Sequence, residues 1–249
     1  MQRAWVITAF GAATLVVLAA GLALAAAVPS SHKASAPALP MAAPVEAVPV
    51  QGGPTIADFA DRTWVAETSA ATGVPERALQ AYAGSVIAMQ HLLPECNIGW
   101  NTLAAVGFVE SRHGTYNGST MDADGLVSPT ILGPVLDGTI YGEIRDTDAG
   151  TLDGDPTWDR AVGPLQFIPS TWAGSGHDGD DNAVITPHDI DDAVFTAALY
   201  LCGAADGDMR DPATWRQAIA TYNSAPSYAI AVAKAANRYA AAVEVTPEG

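Results

Sequence analysis

Between residues 122 and 211 the chain carries 18 acidic side chains against three basic ones, Arg145, Arg160 and Arg210, and every acid but Glu143 is an aspartate. Aspartate competes with helix formation by bonding nearby backbone N–H groups, and it favours turns, helix N-caps and cation sites. The middle of this chain is therefore expected to be mostly loops and caps, with helices confined to its flanks and to aspartate-poor gaps. Over the whole chain, 27 acidic against 11 basic residues leave a formal charge of −16. Phosphate backbones are gripped by Lys and Arg, so this balance argues against a nucleic-acid partner.

Residues 1–54 have a different character, with Arg3, Lys33 and Glu46 as their only charges. The 24 residues from Trp5 to Val28 are uncharged. As a helix such a run would span about 36 Å, enough to cross a bilayer, and it shows no polar stripe. Residues 1–28 are read as an N-terminal membrane anchor or a signal peptide, the Ala-rich end at 23–27 resembling a signal-peptidase site. Either way the remainder is expected to be exported, anchored at the membrane or secreted. Residues 29–54 hold six of the 17 prolines, spaced by Ala, Val and Ser, the composition of a semi-extended tether. One folded domain is expected over residues 55–245. Cys96 and Cys202 suit an exported chain and can form a single internal disulfide, with two buried free thiols as the alternative. Two cysteines without CxxC spacing do not indicate zinc.

Outside the acidic stretch the periodicity is helical. Leu79, Tyr82, Val86, Met89 and Leu93 recur at helical spacing over residues 76–93, between Pro75 and Pro94. Ile98, Leu103, Val106 and Val109 mark a helix over 98–112, with Gly114 as a stop. Ile190 to Cys202 is apolar behind the acidic turn Asp191-Asp192, and Asp211-Pro212 opens a helix through Tyr222 as cap and first residue. A last helix follows from about Ser224 to Val243. The fold class is mainly α, a helical domain with a long irregular acidic insertion.

On the 98–112 helix, Leu103, Val106, Gly107 and Glu110 share one face. That face is otherwise apolar, so Glu110 ends a stripe expected to pack. Burial and the partial negative charge of the helix C-terminus both favour a protonated carboxyl, the state a general acid for glycosidic cleavage needs. The alternative is an ordinary glutamate turned to water at a helix end.

Three segments bear on that choice. Residues 107–114, with Glu110-Ser111 at their centre, resemble the catalytic Glu-Ser motif of lytic murein transglycosylases. The run Gly163-Pro164-Leu165-Gln166-Phe167-Ile168-Pro169-Ser170-Thr171-Trp172 looks like that family's Gln-Phe motif, and Tyr222-Asn223 like its Tyr-Asn motif. They occur in the family's order across roughly residues 72–240. The resemblance is closest to the membrane-bound B type, and within it to actinobacterial members with an Asp-rich insertion. It implies a lysozyme-like fold, cleavage of the β-1,4 bond between MurNAc and GlcNAc in peptidoglycan, and release of 1,6-anhydro-MurNAc. By the same resemblance Glu110 is the single acid/base, needing no cofactor. Ser111 and Gln166 line the cleft, the Tyr222 hydroxyl approaches the catalytic carboxyl, and Asn223 completes the substrate-binding set. Phe167 and Trp172 read as packing residues, and His113 as structural or near the substrate. The peptidoglycan strand is the expected partner, the N-terminal segment faces the membrane, and a monomer is expected. A hydrolytic muramidase and a non-catalytic wall-binding scaffold are the alternatives.

The acidic insertion offers a calcium site. Asp178, Asp180, Asn182, Thr186 and Asp189 place side-chain oxygens at positions 1, 3, 5, 9 and 12 of an EF-hand-like loop, with the Val184 carbonyl at position 7. Ala183 stands where such loops turn on glycine, and Asp189 where a bidentate Glu is usual. A solvated, capped loop is the other reading. Asp146, Asp148, Asp153 and Asp155 form a second, looser acidic cluster.

Overall fold

The computed structural model describes residues 40–244, so the expected anchor or signal peptide over 1–28 and the tether residues 29–39 lie outside the described residues. Among the described residues there are seven α-helices and only short strands, and no helix is long and apolar enough to cross a membrane. The mainly α class follows directly.

Helix α3, Trp100–Ser111, forms the axis. Every residue from Trp100 to Gly107 is buried, and a helix without a polar face has to be surrounded. Helix α7 (Pro226–Glu244) packs along it, and α2 (Glu76–Leu92) and α5 (Ile190–Ala204) pack against it too. Gly107 permits the closest approach: a Cβ there would lie 2.0 Å from the Tyr82 hydroxyl on α2. Helix α6 (Pro212–Tyr222) rests on α5 and α7, and α1 (Arg62–Thr72) on α2 and α7. Cys96, just before α3, is disulfide-bonded to Cys202 in the last turn of α5, with Cα atoms 5.5 Å apart. No free cysteine remains.

The aspartates work as the composition leads one to expect. Asp61, Asp189 and Asp211 cap α1, α5 and α6 by accepting first-turn backbone N–H groups. In the insertion, strand β1 (Thr120–Met121) pairs with β2 (Val127–Ser128), and β3 (Leu132–Val135) with β4 (Arg160–Val162). Between β3 and β4 the chain is held by aspartate-capped turns. Asp153 accepts from the Asp155 and Arg160 amides, and Asp155 from those of Thr157 and Trp158.

The second half of the expected tether is not a tether. Ala42 and Val48 are buried against the helical core. The Asn237 side chain brackets the segment, donating to the Met41 carbonyl at 3.0 Å and accepting from the Ala43 amide at 2.6 Å. Asn101 donates to the Ala43 carbonyl at 2.9 Å, and Val50 bridges to Ala60. Small side chains lie flat in this groove while side-chain amides satisfy the backbone, which composition alone does not reveal.

Candidate active site

The three motif segments lie far apart in sequence and meet at the C-terminal end of α3. Ser111, the last residue of that helix, donates to the Pro164 carbonyl at 2.6 Å and accepts from the Gly114 amide at 2.7 Å. Tyr222, at the end of α6, donates to the Leu165 carbonyl at 2.8 Å. Both bonds grip the turn between β4 and α4 (Pro169–Ser175), so Glu-Ser, Gln-Phe and Tyr-Asn segments are fastened to one another through backbone oxygens. The turn itself needs Gly163, with φ at +77° and a Cβ position 1.8 Å from the Pro187 carbonyl oxygen. Only a residue without a side chain fits there.

Glu110 sits at this junction, half-buried, one residue from the end of α3. Its Oε1 accepts a 2.6 Å hydrogen bond from the Tyr228 hydroxyl on α7. Burial pushes the carboxyl up to about 7 from its ordinary 4.5, and the Tyr228 bond opposes that rise by favouring the ionised form. Tyr228 lies nearly parallel to Tyr222, with ring centroids 6.3 Å apart, and Phe167 and Tyr200 meet the Tyr222 ring edge-on. Burial, with the Glu110 charge beside them, drives both tyrosine hydroxyls well above their usual range, so they remain protonated. The result is a carboxyl poised to give or take a proton near neutral pH, walled by aromatic rings.

Several residues sit differently from the expectation. Ser111 is 1% exposed and bound to backbone, so its hydroxyl braces the junction of the three segments. The hydroxyl reaching Glu110 is that of Tyr228, while Tyr222 bonds Leu165. Asn223 is exposed, and its Oδ1 accepts from the Ala225 amide at the entry to α7. Gln166 is half-buried with φ at +51°. Its Nε2 donates to the Gly163 carbonyl at 2.8 Å, and Gly133 of β3 passes close to its Oε1. Phe167 and Trp172 are buried against each other, as packing residues should be. His113 is buried between the hydroxyls of Tyr82 and Tyr239, at 3.1 and 2.9 Å. Burial, reinforced by Arg238, depresses it to about 3, so it is a neutral link between helices.

Tyr228 went unread because it stands six residues past Tyr222, on an alanine-rich helix. Its one signal was the spacing of the two aromatics of that helix, Tyr228 and Tyr239, which three turns place on the same buried face.

In the loop before α5 the expected calcium ligands divide. Carboxylate oxygens of Asp178, Asp180 and Asp192 lie within 4.8 Å of one another, and so do those of Asp180, Asp189 and Asp191. Asp178 and Asp180 accept from the Asn182 amide, and the Asn182 Nδ2 donates to Asp180 at 2.8 Å. Asp189 caps α5, and Asp192 reaches back to the Gly179 and Thr186 amides. The run has a basic partner from outside, since Arg77 of α2 pairs with Asp191. Val184 and Ile185 are exposed side chains. Burial, aided by the neighbouring carboxylates, raises Asp189 to about 7 and Asp192 to about 6.

No family model, no curated protein and no solved structure matches the chain. The functional reading therefore rests on the geometry and on the three motif segments.

Proposed function

We propose that the chain is a peptidoglycan lytic transglycosylase of lysozyme-like fold, with Glu110 as its single acid/base. The observation that carries this reading is the Glu110 carboxyl, desolvated to a pKa of about 7 and held by the Tyr228 hydroxyl at the meeting point of three motif segments. A scaffold that only binds glycan has no use for a carboxyl poised in this way.

The chemistry follows from one proton moving out and back. Protonated Glu110 donates to the glycosidic oxygen as the C1–O bond of MurNAc breaks, with the substrate's own N-acetyl group assisting at C1. The carboxylate left behind accepts the proton of the C6 hydroxyl as that oxygen bonds C1, closing the 1,6-anhydro ring. No water enters and Glu110 ends protonated, so no second catalytic carboxylate is required, unlike most glycosidases. The Tyr228 bond steadies the ionised half of the cycle.

The Cys96–Cys202 disulfide supports export, because such bonds persist in oxidising compartments. We place the folded part outside the membrane, anchored by or released from its N-terminal segment, acting as a monomer on glycan strands. Calcium at the loop before α5 would be structural, and turnover would need no cofactor. Hydrolysis is the nearest competing reaction, with water in place of the C6 hydroxyl.

Digestion of purified peptidoglycan followed by mass analysis of the muropeptides separates the two. Products about 18 Da (one water) lighter than the hydrolytic ones are expected. Full-mass products would mean a muramidase, and no release would mean a binder.

A further inference from the structure

We propose that Arg112 and Arg238, both held over the Phe108 ring, form a second binding site that takes the carboxylates of the peptide stems carried by the glycan strand. The proposal rests on the reading of that strand as the substrate. In a chain of formal charge −16 most basic side chains are already spent. Arg62, Arg77, Arg145, Arg160 and Arg210 each pair with a carboxylate. Arg112, Lys234 and Arg238 are exposed, and none of the three forms an ion pair among the described residues. They are not scattered. The guanidinium carbons of Arg112, just past α3, and Arg238, on α7, stand 5.2 and 4.6 Å from the centre of one ring, that of Phe108. The two charges are therefore less than about 10 Å apart. Lys234 lies one turn before Arg238 on the same face of α7.

The way the two arginines are held leaves them able to bind. A guanidinium steadied over an aromatic ring keeps its N–H donors, whereas one paired with a carboxylate has used them. One N–H of Arg238 donates to the Tyr239 hydroxyl at 3.0 Å, and the same guanidinium lies 4.9 Å from that ring. The planar donor forks that remain match the two oxygens of a carboxylate. The backbone points the same way. Arg112 caps α3 with φ at +54°, and the left-handed turn continues through His113 and Gly114. Helices usually end on glycine in this conformation, because a side chain is strained there. An arginine kept at such a position points to a use for its side chain.

The site is within reach of the reacting sugar. Arg112 follows Glu110 by two residues, so their Cα atoms are at most about 7.6 Å apart, and an extended peptide of four residues spans about 13–14 Å. Phe108 and Glu110, two apart on α3, lie on different faces of that helix, so the contact stands beside the cleft rather than in it. The acidic surface elsewhere repels an anionic polymer, and this patch therefore also selects the face that meets the strand.

The test uses the full chain carrying Glu110→Gln, so that binding is read without turnover. Peptidoglycan strands freed of phosphodiester polymers are sedimented with it in three forms: stems intact, stem carboxylates amidated, and stems removed by an amidase. Intact stems should bind about tenfold more tightly than the other two, a preference that added salt weakens. Equal binding of all three would overturn the proposal and leave the strand as substrate, whereas no binding of any form would contradict that reading as well. A preference present only before the phosphodiester polymers are removed would make phosphate the ligand and equally refute the proposal. Adding Arg112→Gly or, separately, Arg238→Gln should remove most of the preference, and an undiminished preference in either would overturn the site. Arg112→Gly should melt no lower than its parent, because glycine suits the left-handed turn. A preference lost only together with a lower melting temperature in both variants would assign the pair to packing and not to binding.

Discussion

Glu110 is half-buried at a helix end, a position that surface glutamates also occupy, and what separates it from them is its ionisation. Its folded pKa of about 7 lies above the ordinary 4.5, so the native state holds the proton more tightly than the unfolded chain does. Stability therefore falls as pH rises from about 4.5 and levels off above about 7. Glu110→Gln escapes this loss, and its melting temperature should exceed that of the wild type at pH 8 by an amount worth ~1–3 kcal/mol. The two should converge below pH 4, and an equal gap at both pH values would rule out a desolvated carboxyl. The same pKa requires activity to decline above about pH 7, where the acid form disappears. Tyr228→Phe removes the bond that favours the ionised form, so the alkaline limb of kcat/KM should move to higher pH. A limb unmoved or shifted downward would mean that Tyr228 does not act on Glu110.

At the scale of elements, α3 is held at its start by the disulfide-linked segment and at its end by Ser111. Cys96 and Cys202 are 106 residues apart in sequence, so replacing both with Ala frees a long loop in the unfolded chain. The expected cost is ~2–5 kcal/mol, read as a lower denaturant midpoint with a steeper slope, because the unfolded chain without the cross-link exposes more surface. A midpoint within error of the wild type would show that the bridge adds no stability. The loop before α5 makes a separate prediction. Saturating calcium should raise the melting temperature more than magnesium does, with Kd of order 10⁻⁴–10⁻³ M. Asp178→Asn with Asp180→Asn should diminish that shift, and an unchanged response would remove the loop as a site. Helices α2, α3, α5, α6 and α7 were legible from apolar spacing and from their start signals, a proline at the head of α2, α6 and α7 and aspartate caps on α5 and α6. Helix α1 was not, since Arg62–Thr72 is rich in Ser, Thr and Ala and buries only Val65 and Thr68. Helix α4 is too short for a period to register, and its Pro169 start read as part of the motif.

For the whole molecule, the sequence pointed to Glu110 and to the segments that meet around it, and gave no sign of how they are joined. The bonds that join them run to the carbonyls of Pro164 and Leu165, and a backbone oxygen carries no sequence signature. The packing of residues 41–50 on the core escaped for a similar reason, since Asn101 and Asn237 bond backbone there and look like surface amides in the sequence. The charge pattern was legible throughout: aspartates cap helices and turns wherever the insertion lacks regular structure. The direct measurement is muropeptide release from peptidoglycan by Glu110→Gln, with glycan binding and the far-UV spectrum as controls for the fold. The amide keeps the shape and cannot deliver a proton, so release should fall by ~10²–10⁴-fold while binding persists. A variant that keeps more than about a tenth of the wild-type rate would put the acid/base elsewhere.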